Sequence, residues 1–349
     1  MHSVHQYAPY IAVDESVGHH HTDGMAFATT TDPISAARID GRITVLDRLR
    51  GWTPDAATAT AAIIGTSVAY GAASFFVRRL TDAGVPPVTV ALARFAIAAL
   101  VLGRFIRLQP PFRSATIWGL GSGAAMAIGW IAYVRAVETG SVAVAGVLYM
   151  TYPLFAMLGL AVLFDVRPSG RQIAGGVLVV TGAAAALGPA GAVPWLSLAA
   201  PATFGVATAV LTERLTILDP FERLGSVATG ATLALLPVIV FRSPAGVLPA
   251  SIDQWIWIVG LGVGSALVPM LVYAAAAPRV GAARASVAGS LELPVMIAIG
   301  VLIGEAVTTG QVVGTLAICA AVVVATATRP AHAIPGEQER HRTVVTAIH

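Results

Sequence analysis

Residues 140–175 read GSVAVAGVLYMTYPLFAMLGLAVLFDVRPSGRQIAG, and residues 281–314 read GAARASVAGSLELPVMIAIGVLIGEAVTTGQVVG. In both stretches a glycine precedes a proline by 13 residues (140 to 153, 281 to 294), and a second glycine follows 6 residues later, at 159 and 300. An acidic residue comes next, Asp165 or Glu305, and then a Gln-x-x-Gly, starting at Gln172 or Gln311. Outward from this core the correspondence continues. Tyr133 stands ahead of the first stretch and Tyr273 ahead of the second. Earlier still, Phe76-Val77-Arg78-Arg79-Leu80 parallels Leu211-Thr212-Glu213-Arg214-Leu215. The chain is read as two copies of one unit.

Each copy is too apolar for water. Of the 349 residues 56% are hydrophobic and 11% charged, with a mean hydropathy of +0.78, where a soluble domain carries about 25% charged residues. A bilayer core of about 30 Å takes about 20 apolar helical residues to cross. That window predicts ten spans, at 58–77, 87–106, 115–134, 143–163, 172–189, 194–212, 224–241, 255–276, 283–303 and 309–327. The punctuation between them is turn-forming, as in Gly84-Val85-Pro86-Pro87, Arg167-Pro168-Ser169-Gly170 and Asp219-Pro220. The predicted fold class is therefore an all-α integral membrane protein of ten transmembrane helices. Its parts are a polar, disordered tail over 1–56, five-helix repeats over 57–190 and 191–328, and a second tail over 329–349.

Five spans per copy is an odd number, so the second copy enters the membrane from the opposite side. The expected architecture is two inverted five-helix repeats around a central site. Arginine placement sets the orientation. With the N-terminus cytoplasmic, 16 arginines fall on the inner side and 4 on the outer, namely Arg78, Arg79, Arg135 and Arg242, with Arg94 inside a span. Both termini are accordingly placed in the cytoplasm.

Residue usage excludes several chemistries. All 21 basic residues are arginine, so a phosphate loop or Schiff base that needs a lysine amine is ruled out. Cys319 is the single cysteine, which excludes disulfide frameworks and cysteine-rich metal sites. Every histidine lies in a tail, and the His19-His20-His21 cluster is read as tail composition rather than a metal site. No cofactor and no metal are expected, and the net charge of +3 gives no reason to expect nucleic acid.

The ordered landmarks resemble the drug/metabolite transporter superfamily, and within it the EamA-type domains. The match is carried by Pro87-Val88-Thr89-Val90-Ala91-Leu92-Ala93-Arg94-Phe95, by Ala136 and Gly140-Ser141-Val142-Ala143 through Pro153, and by Gly281-Ala282-Ala283-Arg284-Ala285-Ser286 through Pro294 to Gly304-Glu305. Two departures stand out. Phe164-Asp165 replaces a glycine-glutamate pair, and Glu292-Leu293-Pro294 loosens a glutamate-proline pair. The resemblance implies a secondary transporter of the inner or plasma membrane that moves a small polar metabolite, an amino acid or a drug by alternating access, as an exporter. An integral-membrane enzyme, a passive pore and a lipid translocator remain the alternatives. The expected partners are a small-molecule substrate and the lipid bilayer, with a homodimer through glycine-rich faces left open.

Charges within spans are the first functional candidates, because each costs about 2.5–3.5 kcal/mol at mid-membrane. Arg94 lies about 10 Å from the outer edge and Glu292 about 17 Å from it, at 1.5 Å per residue. Both are expected to face the central cavity, either as a pair or as the two ends of a zwitterion site; a buried pair that only locks packing is the competing expectation. Tyr70, Trp130, Tyr133, Tyr149, Tyr152 and Tyr273 are candidate walls for an organic solute, Tyr152 foremost because it precedes Pro153 in a repeat-matched helix. Pro153, Pro294 and Pro269, along with Pro201 and Pro237, are expected to kink their spans, and the first three are candidate gating points. Asp165 and Glu305, at matched positions, are expected to pin helix ends. The pair Gly119 and Gly123 and the cluster Gly260, Gly262 and Gly264 are expected to mark close helix contacts.

Overall fold

A computed structural model describes residues 52, 54–187, 195–241, 248–280, 288, 289 and 291–326. The histidine cluster, the second tail, most of the first tail and the Gly281–Ser286 landmark lie outside the described residues. Among the described residues all regular structure is helical. In chain order the helices are α1 (Ala56–Asp82), α2 (Pro87–Leu102), α3 (Arg113–Thr139), α4 (Val142–Tyr149), α5 (Tyr152–Phe164) and α6 (Gly170–Leu187). They continue as α7 (Ala199–Glu213), α8 (Pro220–Val240), α9 (Ile252–Val259), α10 (Val268–Val280), α11 (Glu292–Leu302) and α12 (Thr309–Thr326). A π-helical stretch, Gly260–Leu267, joins α9 to α10.

Local sequence accounts for the helix starts. Asp55 caps α1 by accepting from Thr58 N at 2.8 Å, and Ser141 caps α4 by accepting from Val144 N at 3.1 Å. Asp219 and Glu222 form a reciprocal capping box on α8. Proline occupies the first turn of α2, α5 and α8, where its missing N–H has no helical acceptor to lose. Within these apolar helices, buried hydroxyls bond back to the preceding turn: Ser67 Oγ donates to Ile63 O at 2.9 Å, and Ser74 Oγ to Gly71 O at 2.7 Å.

Seven helical stretches are long and apolar enough to cross a bilayer: Ala56–Asp82, Pro87–Phe105, Arg113–Thr139, Val142–Phe164, Gly170–Leu187, Pro220–Val240 and Ile252–Ala277. Of the other three expected spans, α7 has 15 residues and α11 has 11, and α12 is apolar over Thr309–Ala321. Residues 188–194 and 281–287, which would extend the sixth and ninth spans, are outside the described set. Large apolar side chains cover the outside. Leu100, Val162 and Leu302 are 80% or more exposed, as suits contact with lipid.

The expected kinks take another form. The fourth span is two helices, α4 and α5, separated at Met150-Thr151, and Pro153 is the second residue of α5. Pro294 is the third residue of α11 and Pro269 the second of α10. Pro201 likewise sits in the first turn of α7, whereas Pro237 is interior to α8 and Pro269, reached through the π segment, is interior to the continuous helical stretch Ile252–Ala277. A first-turn N–H is unpaired in any helix, so Pro153, Pro294 and Pro201 restart helices at low cost instead of bending continuous ones.

Packing obeys the internal repeat. α5 packs on α7 as α11 packs on α1; α3 packs on α7 as α10 packs on α1; α3 meets α8 as the π segment meets α2. The pairs α2–α8 and α6–α12 map onto themselves when the halves are exchanged, and α4 packs on α11 across them. Glycines serve the matched contacts in both halves. A Cβ on Gly71 would lie 2.7 Å from the Val295 side chain on α11, and one on Gly205 would lie 2.6 Å from Tyr152 O on α5. In each half, the first helix is thus hollowed where a proline-bearing half-helix begins.

Candidate functional site

Arg94 is carried by α2 and is 8% exposed. Its guanidinium carbon lies 3.9 Å from the centroid of the Trp130 ring on α3, a stacked cation–π contact. Its Nη1 donates to the carbonyl of Ser265 at 3.4 Å. That carbonyl belongs to the π segment, and Pro269, four residues on, has no N–H to offer it. The proline that was expected to bend the eighth span therefore leaves an acceptor open, and Arg94 fills it.

Glu292 is the first residue of α11 and is half-buried. It lies within electrostatic reach of Arg94, Tyr70, Tyr133, Tyr149 and Tyr152. Among the described residues the ion pairs are Arg78–Asp82, Arg107–Glu222 and Arg135–Glu138. Arg94 and Glu292 thus share a site and feel each other's charge without forming an ion pair. A packing lock would bring the two into contact, because an unpaired buried charge is costly.

The aromatic candidates other than Tyr273 converge on the same place. Tyr70, Tyr152 and Tyr273 are half-buried and mutually within electrostatic reach. Trp130 begins a run of rings: 5.0 Å to Tyr133, 5.5 Å on to Tyr149 and 6.0 Å on to Tyr152, centroid to centroid. Phe204 on α7 closes the run, 4.8 Å from Tyr152 and edge-on to it. Trp130, Tyr133, Tyr149, Thr203 and Phe204 line a tightly packed crevice too narrow to admit a water molecule. The Tyr133 hydroxyl is buried there with no hydrogen-bond partner among the described residues.

Glu292, Arg94, Tyr152, Tyr70 and Trp130 gather at this one locus, while Tyr273, within electrostatic reach of Tyr70 and Tyr152, packs against a separate cluster with Ala59, Ile63 and Ala276. The prolines Pro153, Pro294 and Pro269 sit beside it, at the starts of α5, α11 and α10. Tyr133 and Tyr149 are among the aromatic walls the sequence suggests, whereas Phe204 and the Ser265 carbonyl are not. Tyr133 is three residues after Trp130 on one face of α3, which is a readable signal. Phe204 had none. Among the described residues no group of His, Cys, Asp and Glu is placed to hold a metal ion.

Comparison with known proteins bears on both halves. No curated protein matches the sequence. A solved crystal structure shares the fold, at 21% identity and a TM-score of 0.53, over 77% of this chain and 97% of the other. The EamA-like transporter family matches residues 58–188 and again residues 192–327. With each half a full copy of that domain, the chain belongs to the EamA-like transporter family.

Proposed function

We propose that this protein is a secondary carrier of the plasma membrane that exports a small zwitterionic metabolite, an amino acid or a close relative, by alternating access. Family membership supplies transport; the cargo class, the direction and the cycle are our reading. The observation that carries it is the separation of Arg94 and Glu292, two opposite charges in one aromatic-walled site that are not paired with each other. A cargo with a carboxylate and an ammonium group would complete both, its carboxylate against the guanidinium fork and its amine against Glu292. Tyrosine walls suit a solute that is polar at one end and apolar along its body. Both termini are placed in the cytoplasm, and ten spans form two inverted repeats.

Counterflow in proteoliposomes tests the reading. Vesicles loaded with unlabelled amino acids are exposed to a labelled trace of each. Saturable exchange by the parent protein, lost in Glu292→Gln and in Arg94→Gln, is the expected result. Exchange that both variants leave unchanged would remove the two charges from the cargo path.

A further inference from the structure

The junction between α3 and α4 is only two residues long, Gly140-Ser141, and is gripped from two sides by opposite charges. Arg78, near the end of α1, donates from Nη1 to Val137 O at 2.9 Å and to Gly140 O at 3.2 Å, the carbonyl end of α3. Glu305, beyond α11 in the second repeat, accepts from Val142 N at 2.8 Å and from Ala143 N at 3.3 Å, the amide end of α4. Each charge sits at the helix end whose dipole it complements. With Ser141 accepting from Val144 N, the first three amides of α4 are all satisfied.

The placement of Glu305 is built rather than incidental. α11 ends in a turn through Gly304 at φ +90°, a left-handed conformation suited to glycine, with Glu305 N donating to Gly300 O at 2.8 Å. A Cβ on Gly300 would lie 2.8 Å from the Glu305 carboxylate, so the missing side chain leaves room for it. The gripped element is equally particular. α4 has 8 residues, all buried but Val144, and non-helical joints at both ends, Gly140-Ser141 and Met150-Thr151. Its last residue is Tyr149, at the centre of the aromatic run.

We propose that Arg78 and Glu305 are the positioning residues of a gate. Glu305 holds the half-helix α4 from the second repeat and Arg78 holds the joint before it from α1, so that one mouth of the site is shut while the grip is made and opens when it breaks. The inference rests on the transport reading for its purpose but not for its test. The Glu305 contact joins the two halves and the Arg78 contact ties α1 to the end of α3 within the first; both groups are partly exposed, the Arg78 side chain at 29%. Such hydrogen bonds can be exchanged for water, which apolar packing cannot do. α4 then moves as a short rigid peg between its two joints and carries Tyr149 with it, linking the mouth to the site.

Cysteine accessibility tests this without any cargo. On a Cys319→Ala background, Tyr152→Cys reports access to the site, read with a membrane-impermeant maleimide applied to each face of sealed vesicles. Glu305→Gln and Arg78→Gln are expected to raise labelling about tenfold from the face that bears Glu305, with Glu305→Asp restoring part of the protection. Unchanged labelling in both neutral variants overturns the gate and leaves a static helix pin. Should Glu305→Gln fail to reach the membrane, unchanged labelling in Arg78→Gln overturns it alone. Increased labelling with no exchange of any amino acid would keep the gate and sink the cargo reading, so the two failures are separable.

Discussion

At the scale of single residues, a permanent positive charge is kept in an apolar span by partners on two other helices. Arg94 is held on the Trp130 ring and on a carbonyl that Pro269 leaves open, so its fork is fixed before any cargo arrives. Lysine would keep the charge but lose the planar stack and the paired donors. Arg94→Lys is therefore expected to weaken apparent cargo affinity about tenfold, or about 1.4 kcal/mol, with little change in thermal stability; counterflow over a cargo titration measures it. An Arg94→Lys variant that exchanges like the parent would show that charge alone matters there. Arg94 and Glu292 were legible in the sequence because a charge in an apolar span announces itself through its cost. Their separation was not legible, since it depends on α2, α11 and the π segment meeting in space. Pro269 was noticed for the bend it should impose, yet its consequence is electrostatic and needs the coordinates of Ser265.

At the scale of helices, small residues decide how closely the halves approach. Gly123 faces the backbone of Val227 and Ala231 on α8, and a Cβ there would collide with the Val227 carbonyl. Gly121, two residues away on the same helix, has nothing within 4 Å. The pair makes an internally controlled prediction for unfolding in detergent. Gly123→Ala should cost about 1–3 kcal/mol by overpacking, whereas Gly121→Ala should be neutral or gain up to about 1 kcal/mol of helix propensity. Equal effects from the two would show that the α3–α8 contact yields without cost. The Gly119 and Gly123 spacing was read correctly as a contact, since Gly119 meets Ser226 on the same neighbour. The eighth-span cluster was read too simply. Gly260 meets Phe76 and Gly262 meets Ala93 O, but Gly264 faces open space. The π turn that runs through all three changes the residue count per turn, which periodicity based on an α-helix does not register. Split spans were missed for a related reason: apolar composition runs unbroken from Val142 to Phe164, and only the backbone shows the joint at Met150-Thr151.

At the scale of the whole molecule, contacts between distant segments constrain how often the chain crosses the membrane. Residues at opposite faces stand about 30 Å apart, so two that touch at helix ends are separated by an even number of crossings. Arg78 holds Gly140 O, Gln254 Nε2 donates to Ala83 O at 3.0 Å, and Glu305 holds Val142 N. Arg107 pairs with Glu222, while Arg214 lies over Trp118 at 5.6 Å and over Phe164 at 5.3 Å. The last contact is the most demanding. Between Phe164 and Arg214 lie only α6 and α7, so once α6 crosses, α7 must cross back despite its 15 residues. The expected alternation satisfies every one of these contacts; merging α7 with a neighbour would break that to Phe164. What they leave undetermined is the final passage, α12, which returns the chain to the side where it began if it crosses. We expect ten crossings and therefore both ends on one face, with the arginine bias placing that face in the cytoplasm. Fluorescent protein fused after His349 should then be bright, and single cysteines at Arg135 and Arg167 should label from opposite sides. A dark fusion with intact protein would mean nine crossings, and with nine the two halves could not be related as inverted copies of five spans each.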